Sequence, residues 1–194
     1  KHALEAAGKL VSDGFVAAIS PGSAARVANA FYEDDEAVVW ACADVLREEY
    51  KRITDAGLTV QIDAPDIAEG WDQMNPEPSV EDYRAFSRVR IDALNHALEG
   101  IDPDLVRFHV CWGSWHGPHT TDIAFKDIVD LALLVNANGL TFEAANARHA
   151  HEWTIWRDTP LPEGKYLIPG VVSHSTNVVE HPELVAQRIR QFAD

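Results

Sequence analysis

The sequence predicts an α/β fold of the (β/α)8 barrel type, on three observations. Short runs rich in β-branched residues alternate with longer stretches of helical periodicity. The crossovers between these runs span about a dozen residues or more, which favours parallel strands with right-handed connections. Polar side chains follow the end of every strand-like run, which is typical of a barrel mouth. An open sheet instead binds its ligand at one switch point, and no Gly-x-Gly-x-x-Gly fingerprint or phosphate loop is present.

Strands and helices are predicted in alternation along the chain. The predicted helix at 34–56 carries apolar residues on roughly one face and ends at Gly57. The predicted helix at 79–98 has Ser79 as N-cap, Asp82 three residues later as a capping partner, and Gly100 just beyond its end. In chain order the predicted elements are strand 15–20, helix 34–56, strand 59–63, helix 79–98, strand 106–111, helix 122–135, strand 140–144, strand 166–173 and helix 182–192.

The length of the chain bears on how much of the barrel is present. Five predicted strands cannot close a barrel of eight, and a barrel of this type usually takes about 250 residues, against the 194 of this sequence. We therefore expect residues 1–194 to form a single catalytic barrel domain that is partial, with about five of eight strands, and truncated at both ends.

Composition and charge exclude several partners. The chain has 16 Lys and Arg against 31 Asp and Glu, a net charge of −15, so it offers little positive surface to nucleic acid or to an anionic membrane. No apolar run approaches the roughly 20 residues that a membrane span needs. The two cysteines, Cys42 and Cys111, cannot form a disulfide framework, and a reducing cytoplasm is the expected compartment.

Three residues are candidate metal ligands. His109 and Cys111 lie two apart on a predicted strand and therefore on the same face, and Glu143 ends the next strand in an otherwise apolar run. A buried carboxylate must be paired, protonated or coordinated, and imidazole, thiolate and carboxylate together suit zinc. The alternatives are a buried histidine beside a core cysteine, and a salt bridge from Glu143 to Arg148 or Arg157.

Several stretches of the sequence resemble the catalytic barrel of cobalamin-independent methionine synthase. The closer likeness is to the branch that includes epoxyalkane:coenzyme M transferase, and it covers essentially residues 15–194 in the family's order. The stretches that carry the likeness are residues 60–63, 108–113, 142–146, 170–172 and 177–183.

The resemblance implies a zinc ion held by a histidine and a cysteine two apart on one strand, a glutamate on the next strand and a second cysteine on the last strand. The first three match His109, Cys111 and Glu143. The fourth has no counterpart, because Cys42 lies in a predicted outer helix and is interpreted as a small core residue. The family's last cysteine would fall beyond Asp194.

The resemblance also implies substrate-binding residues. Asp63 matches the aspartate that binds the amino group of homocysteine, although Ala64 replaces the glutamate usual in methionine synthases. Alternatively, Asp63 caps the turn at 65–68. Ser20, in the loop after the first strand, is expected to reach substrate, and Trp112 to wall it, although an aromatic residue at such a position is more often packing.

Proton transfer is assigned to three further candidates. His116, in the loop at 112–121, either delivers a proton to a leaving group or only hydrogen-bonds its own loop. The resemblance implies a general-acid histidine near the seventh strand; His174 lies close to that place, but a direct match puts Ser175 there. His149 and His151 are interpreted as residues that orient the ligands or as ligands themselves.

The function implied by the resemblance is zinc-dependent alkyl transfer, in the first place methyl transfer, to a small-molecule thiol, with a zinc-bound thiolate as nucleophile. The partners expected are the thiol and an alkyl donor, with no nucleic acid and no membrane. The alternatives are epoxide opening of the coenzyme M transferase kind, a zinc hydrolase, and a non-catalytic relative that lacks the fourth ligand. The oligomeric state is not predicted.

Overall fold

A computed structural model describes residues 15–28, 35–113 and 120–193. Within these ranges five parallel strands form one sheet whose spatial order follows the sequence, β1-β2-β3-β4-β5. The strands are β1 (Phe15–Ile19), β2 (Thr59–Ala64), β3 (Val106–Val110), β4 (Gly139–Glu143) and β5 (Tyr166–Gly170). This is the order of consecutive strands in a TIM-type barrel, and it confirms the predicted fold class. All five strands lie where they were predicted, although β5 ends at Gly170, before the predicted end at residue 173.

The helices cover one face of this sheet. They are α1 (Pro21–Ala28), α2 (Asp35–Asp55), α3 (Glu69–Asp72), α4 (Val80–Ala97), α5 (Val129–Ala132) and α6 (Pro182–Ala193). The helices α2, α4 and α6 confirm three predicted helices, and the cap of α4 is the predicted one, with the Asp82 N–H donating to Ser79 Oγ at 3.0 Å. No helix in the described ranges is both long enough and apolar enough to cross a bilayer.

The predicted helix at 122–135 is wrong over most of its length. The structure has only a 3-10 turn (Phe125–Asp127) and the single turn of α5 there. The chain before the turn is extended, because the indole N–H of Trp112 donates to the Ile123 carbonyl at 3.0 Å and the Phe125 N–H donates to Glu152 Oε1 at 2.7 Å. These bonds tie the segment to neighbouring loops, and tertiary contacts therefore override its helical periodicity.

Helix α1 was not predicted, since the sequence analysis places Ser20 in a loop after the first strand. In the structure Pro21 is the first helical residue and Ser20 is the cap, its Oγ accepting the Ser23 N–H at 3.1 Å. Gly22 is required for space: a Cβ there would overlap the carboxylate of Asp66 and lie 2.8 Å from Cγ of Arg90.

Alternation of side chains along the strands separates the core from the site. Along β2 and β3, buried residues alternate with partly exposed ones. The buried set packs against the helices as part of the hydrophobic core: Val60, Ile62, Ala64, Val106, Phe108 and Val110. The other set faces the opposite side of the sheet, where Asp63 is in register with His109 and His109 with Thr141. The strand register therefore brings the polar residues at the carboxyl ends of β2, β3 and β4 to one place.

Candidate metal centre

Asp63, His109 and Cys111 form a compact group of potential metal ligands. One donor atom from each lies within 4.8 Å of the other two, and Asp63 Oδ1 is 4.0 Å from His109 Nε2. Tetrahedral zinc with ligand bonds of about 2.0–2.3 Å places its ligand atoms roughly 3.3–3.8 Å apart. The observed separations thus need only a small contraction to reach zinc geometry.

One atom of this group has unmet bonding capacity. Among the described residues, Asp63 Oδ1 is a buried polar atom without a hydrogen-bond partner. Such an atom usually costs about 1–3 kcal/mol. A cation bound between these side chains would supply a partner to the carboxylate. The group therefore fits a metal ion in two respects: its donor atoms are common metal ligands, and a carboxylate oxygen is left without a partner.

Burial sets the protonation of the group. It raises the pKa of the Cys111 thiol to about 11 and lowers the pKa of His109, against the opposing effect of the Asp63 carboxylate. It also raises the pKa of Asp63, although nearby His109 counteracts this effect. Without metal, Cys111 is therefore a thiol and His109 a neutral imidazole at neutral pH, and metal binding must displace the thiol proton.

Glu143 lies beside this group rather than within it. Its side chain is 8% exposed, Oε2 accepts a hydrogen bond from Asn146 Nδ2 at 2.8 Å, and Oε1 is 4.0 Å from His174 Nε2. Glu143, Asn146, His174 and His109 line one cavity of about 190 Å³. The ligand role of Glu143 stays a prediction, and the structure places this carboxylate in the same cavity as His109.

The alternative salt bridges of Glu143 do not account for its burial. Arg148 pairs with Asp122 at 2.6 Å, and the guanidinium of Arg157 lies 4.6 Å from the ring centre of Trp153. The buried partner of Glu143 is instead the neutral amide of Asn146. The Glu143 carboxylate is therefore held in place by a neutral hydrogen bond at Oε2, with Oε1 turned toward His174.

The predicted proton-transfer residues fall in different places. His174 is at the cavity beside Glu143, and its side chain is 53% exposed. Ser175 Oγ lies 2.9 Å from Ser173 Oγ and, with His174, lines an adjoining open cavity of about 480 Å³. His116 lies outside the described residues. Of the two that lie in the described part of the chain, His174 is the one beside Glu143 in the cavity that His109 also lines.

Ser20 and Trp112 are buried in their own surroundings. Ser20 Oγ donates to Asp66 Oδ1 at 2.6 Å, and Trp112 is fully buried with its ring centre 4.3 Å from that of His149. Direct substrate contact by either side chain, which stays a prediction, would require rearrangement of the backbone that carries it. Their observed contacts hold the junction between β1 and α1 and the loop after β3.

Sequence reasoning missed most of the residues that support the site. Asn146 lies three residues after Glu143 in a stretch that is otherwise apolar. Its hydrogen bond to Glu143 depends on the turn between the two residues, and the spacing of polar and apolar residues does not predict that turn. His149 was expected to orient ligands or bind metal. It is buried, with Nδ1 2.9 Å from Glu152 Oε2 and Nε2 3.3 Å from Asp122 Oδ2, and it supports Trp112 rather than lining the cavity.

Comparison with known families agrees with these observations. Residues 3–194 match the family described as cobalamin-independent synthase, catalytic domain. The match covers nearly the whole chain and does not separate the methionine synthase branch from the epoxyalkane branch. No curated protein matches the sequence.

Proposed function

Since the chain belongs to the family of cobalamin-independent synthase catalytic domains, which are methyltransferase-type enzymes, we propose that it catalyses zinc-dependent transfer of a methyl or related alkyl group to a small-molecule thiol. The observation that carries this proposal is the group of an imidazole, a thiol and carboxylates at the carboxyl ends of three adjacent strands. Active sites of barrel enzymes lie at this face.

The residues that would hold zinc are His109 and Cys111, with Glu143 from the next strand. When bound, zinc lowers the pKa of a coordinated thiol and so supplies a thiolate nucleophile near neutral pH. The lowered pKa of His109 keeps its imidazole neutral and available as a ligand. Asn146 donates to Glu143 Oε2, which fixes the carboxylate and leaves Oε1 directed into the cavity.

The reaction must move one proton as well as one alkyl group. The acceptor thiol gives up its proton, a sulfur–carbon bond forms, and the bond from that carbon to its leaving atom breaks with the electron pair going to the leaving atom, which then takes a proton. His174 would hold and deliver that proton, and its position beside Glu143 together with its 53% exposed side chain supports this role.

Epoxide opening is the second candidate function. It uses the same thiol chemistry, but the leaving atom is the ring oxygen and stays in the product as a hydroxyl group. The feature that favours it is the departure of the sequence at Ala64, where methionine synthases usually carry a glutamate, although the Ala64 side chain itself lies on the core face of β2. This position departs from the pattern expected for homocysteine.

The test is product formation with two pairs of substrates. The zinc-loaded protein is incubated with homocysteine and a methyl-folate donor, or with coenzyme M and a short epoxide, and the S-alkylated thiol is quantified by mass spectrometry. We expect one pair to give product, and His109→Ala and Cys111→Ser to abolish it. Cys42→Ser is the matched control, since Cys42 is a half-buried residue of α2 that packs against the core.

Unchanged product formation in the His109 and Cys111 variants would refute their assignment as zinc ligands. Release of product without thiol consumption would indicate a hydrolase.

A further inference from the structure

We propose that Arg148 is a positioning residue for the candidate metal centre, acting through the amide of Asn146 on the carboxylate of Glu143. Its ion pair with Asp122 is the fixed end of this connection. The inference rests on the proposed zinc function and concerns the same centre. It assigns a role to a charged pair outside the set of residues that line the cavity.

The orientation of the Asn146 amide is the first argument. An amide side chain can turn by 180° with little change of shape, so its hydrogen-bond partners decide which end faces which neighbour. Asn146 Oδ1 accepts from the backbone N–H of Arg148 at 3.1 Å and from Nε of the same residue at 3.3 Å. Both groups can only donate, and the amide nitrogen therefore faces Glu143, where it donates to Oε2 at 2.8 Å. In the opposite orientation the amide oxygen would face the carboxylate, and two acceptors would repel each other.

The second argument is that Arg148 is itself held in place. Its Nη1 donates to Asp122 Oδ2 at 2.6 Å, and the two side chains are only 23% and 11% exposed. A charge-assisted hydrogen bond of this length is among the stronger ones in proteins. Because the guanidinium is planar and rigid, fixing Nη1 on Asp122 also fixes the direction in which Nε donates to Asn146.

The third argument is where the connection is attached. Ile123, directly after Asp122, accepts a hydrogen bond from the indole N–H of Trp112 at 3.0 Å, and Trp112 directly follows Cys111. The chain of contacts thus runs from the backbone beyond β3 to Glu143 at the end of β4. Cys111 and Glu143 are predicted ligands from different strands, and this connection holds the second in a fixed relation to the first.

The expected effect follows from this geometry. Loss of a residue that supports a ligand typically weakens metal binding about 10–100-fold. A variant of Arg148 keeps its backbone N–H, which still donates to Asn146 Oδ1, and loses only the donation from Nε. We therefore expect an effect at the lower end of that range, about tenfold.

The experiment is a double-mutant cycle on zinc affinity, measured by chelator competition for the wild type, Arg148→Ala, Asn146→Ala and the double variant. Arg148→Ala should weaken zinc binding about tenfold in the wild type, but less than about twofold in the Asn146→Ala background, where no amide is left to orient. Visible absorption of the cobalt-substituted protein should also change in Arg148→Ala. Arg84→Ala is the matched control, because Arg84 also pairs with an aspartate, Asp130, at 2.6 Å, but between helices α4 and α5. It should change neither quantity.

Arg148→Lys separates orientation of the amide from the charge of the ion pair, and it keeps the test decisive if Arg148→Ala folds poorly by circular dichroism. A lysine can pair with Asp122, but its ammonium group is not a planar fork that also reaches Asn146. We expect Arg148→Lys to keep the stability of the wild type in urea denaturation and to lose zinc affinity as Arg148→Ala does.

Three results would overturn the inference: unchanged zinc affinity in both Arg148 variants, an equal loss on Arg148→Ala in both backgrounds of the cycle, or full recovery of zinc affinity by Arg148→Lys. An equal loss would mean that Arg148 acts independently of Asn146. Failure of the wild type to bind stoichiometric zinc, or unchanged binding in His109→Ala, would instead defeat the proposed function itself.

Discussion

Because the pKa of the Cys111 thiol is raised, the pH dependence of zinc affinity shows directly whether Cys111 binds the metal. Burial raises the pKa of this thiol to about 11 in the metal-free protein. Zinc binds the thiolate, so the metal must displace a proton at any pH below that value. At about pH 7 roughly one molecule in 10⁴ carries the thiolate, which weakens zinc binding by about 5 kcal/mol relative to a fully ionised site. The apparent affinity should therefore rise about tenfold for each pH unit between about pH 7 and pH 9.

Between about pH 7 and pH 9, the increase of zinc affinity with pH comes from Cys111 alone. Burial lowers the pKa of His109, so its imidazole is already neutral and releases no proton when it binds metal. Competition titrations against a chelator of known proton affinity, repeated across the pH range, give the slope. We expect a slope near one in the wild type and in Cys42→Ser, and a slope near zero in Cys111→Ser. A flat profile in the wild type would mean that Cys111 does not bind the metal as a thiolate formed from a protonated thiol.

Three further predictions concern the residues that hold the site in place. Gly22→Ala should destabilise the protein by about 2–4 kcal/mol in urea denaturation, because its Cβ displaces the buried carboxylate of Asp66, and the loss should shrink in an Asp66→Ala background. His149→Ala should destabilise the protein by about 1–3 kcal/mol, since it removes the buried imidazole that lies 2.9 Å from Glu152 Oε2 and packs on Trp112, whereas His151→Ala on the exposed surface should cost less than about 0.5 kcal/mol. Equal stability of these two variants would contradict the buried network. Asn146→Ala should weaken zinc binding about 10–100-fold without changing the pH slope, and unchanged affinity would separate Glu143 from the metal.

The fold was predictable where local pattern and tertiary structure agree. The five strands are short β-branched runs bounded by turn residues, and helices α2 and α4 carry explicit end signals at Ser79, Gly57 and Gly100. Both glycines adopt positive φ, 78° and 79°, as a helix C-terminus favours. The segment at 122–135 failed because long-range hydrogen bonds fix its backbone, and periodicity carries no information about such bonds.

The site was predictable in part for a similar reason. His109 and Cys111 share a face by the alternation of a single strand, which depends on sequence spacing alone. The closeness of Asp63 to His109 depends on the register between two strands 46 residues apart, and the Asn146 contact depends on a turn conformation. Ser20 and Trp112 were placed by resemblance near substrate, but their burial is set by partners elsewhere in the chain, Asp66 and His149.

Zinc X-ray absorption on the purified protein, combined with elemental analysis, tests the central claim most directly. For a chain of residues 1–194, we predict one zinc with one sulfur neighbour, Cys111, the other neighbours being nitrogen and oxygen, because Cys42 is the one other cysteine of this stretch and packs against the core in α2. Addition of the acceptor thiol should raise the sulfur count by one. Absence of zinc, or zinc with only nitrogen and oxygen neighbours that stays unchanged when thiol is added, would contradict the account.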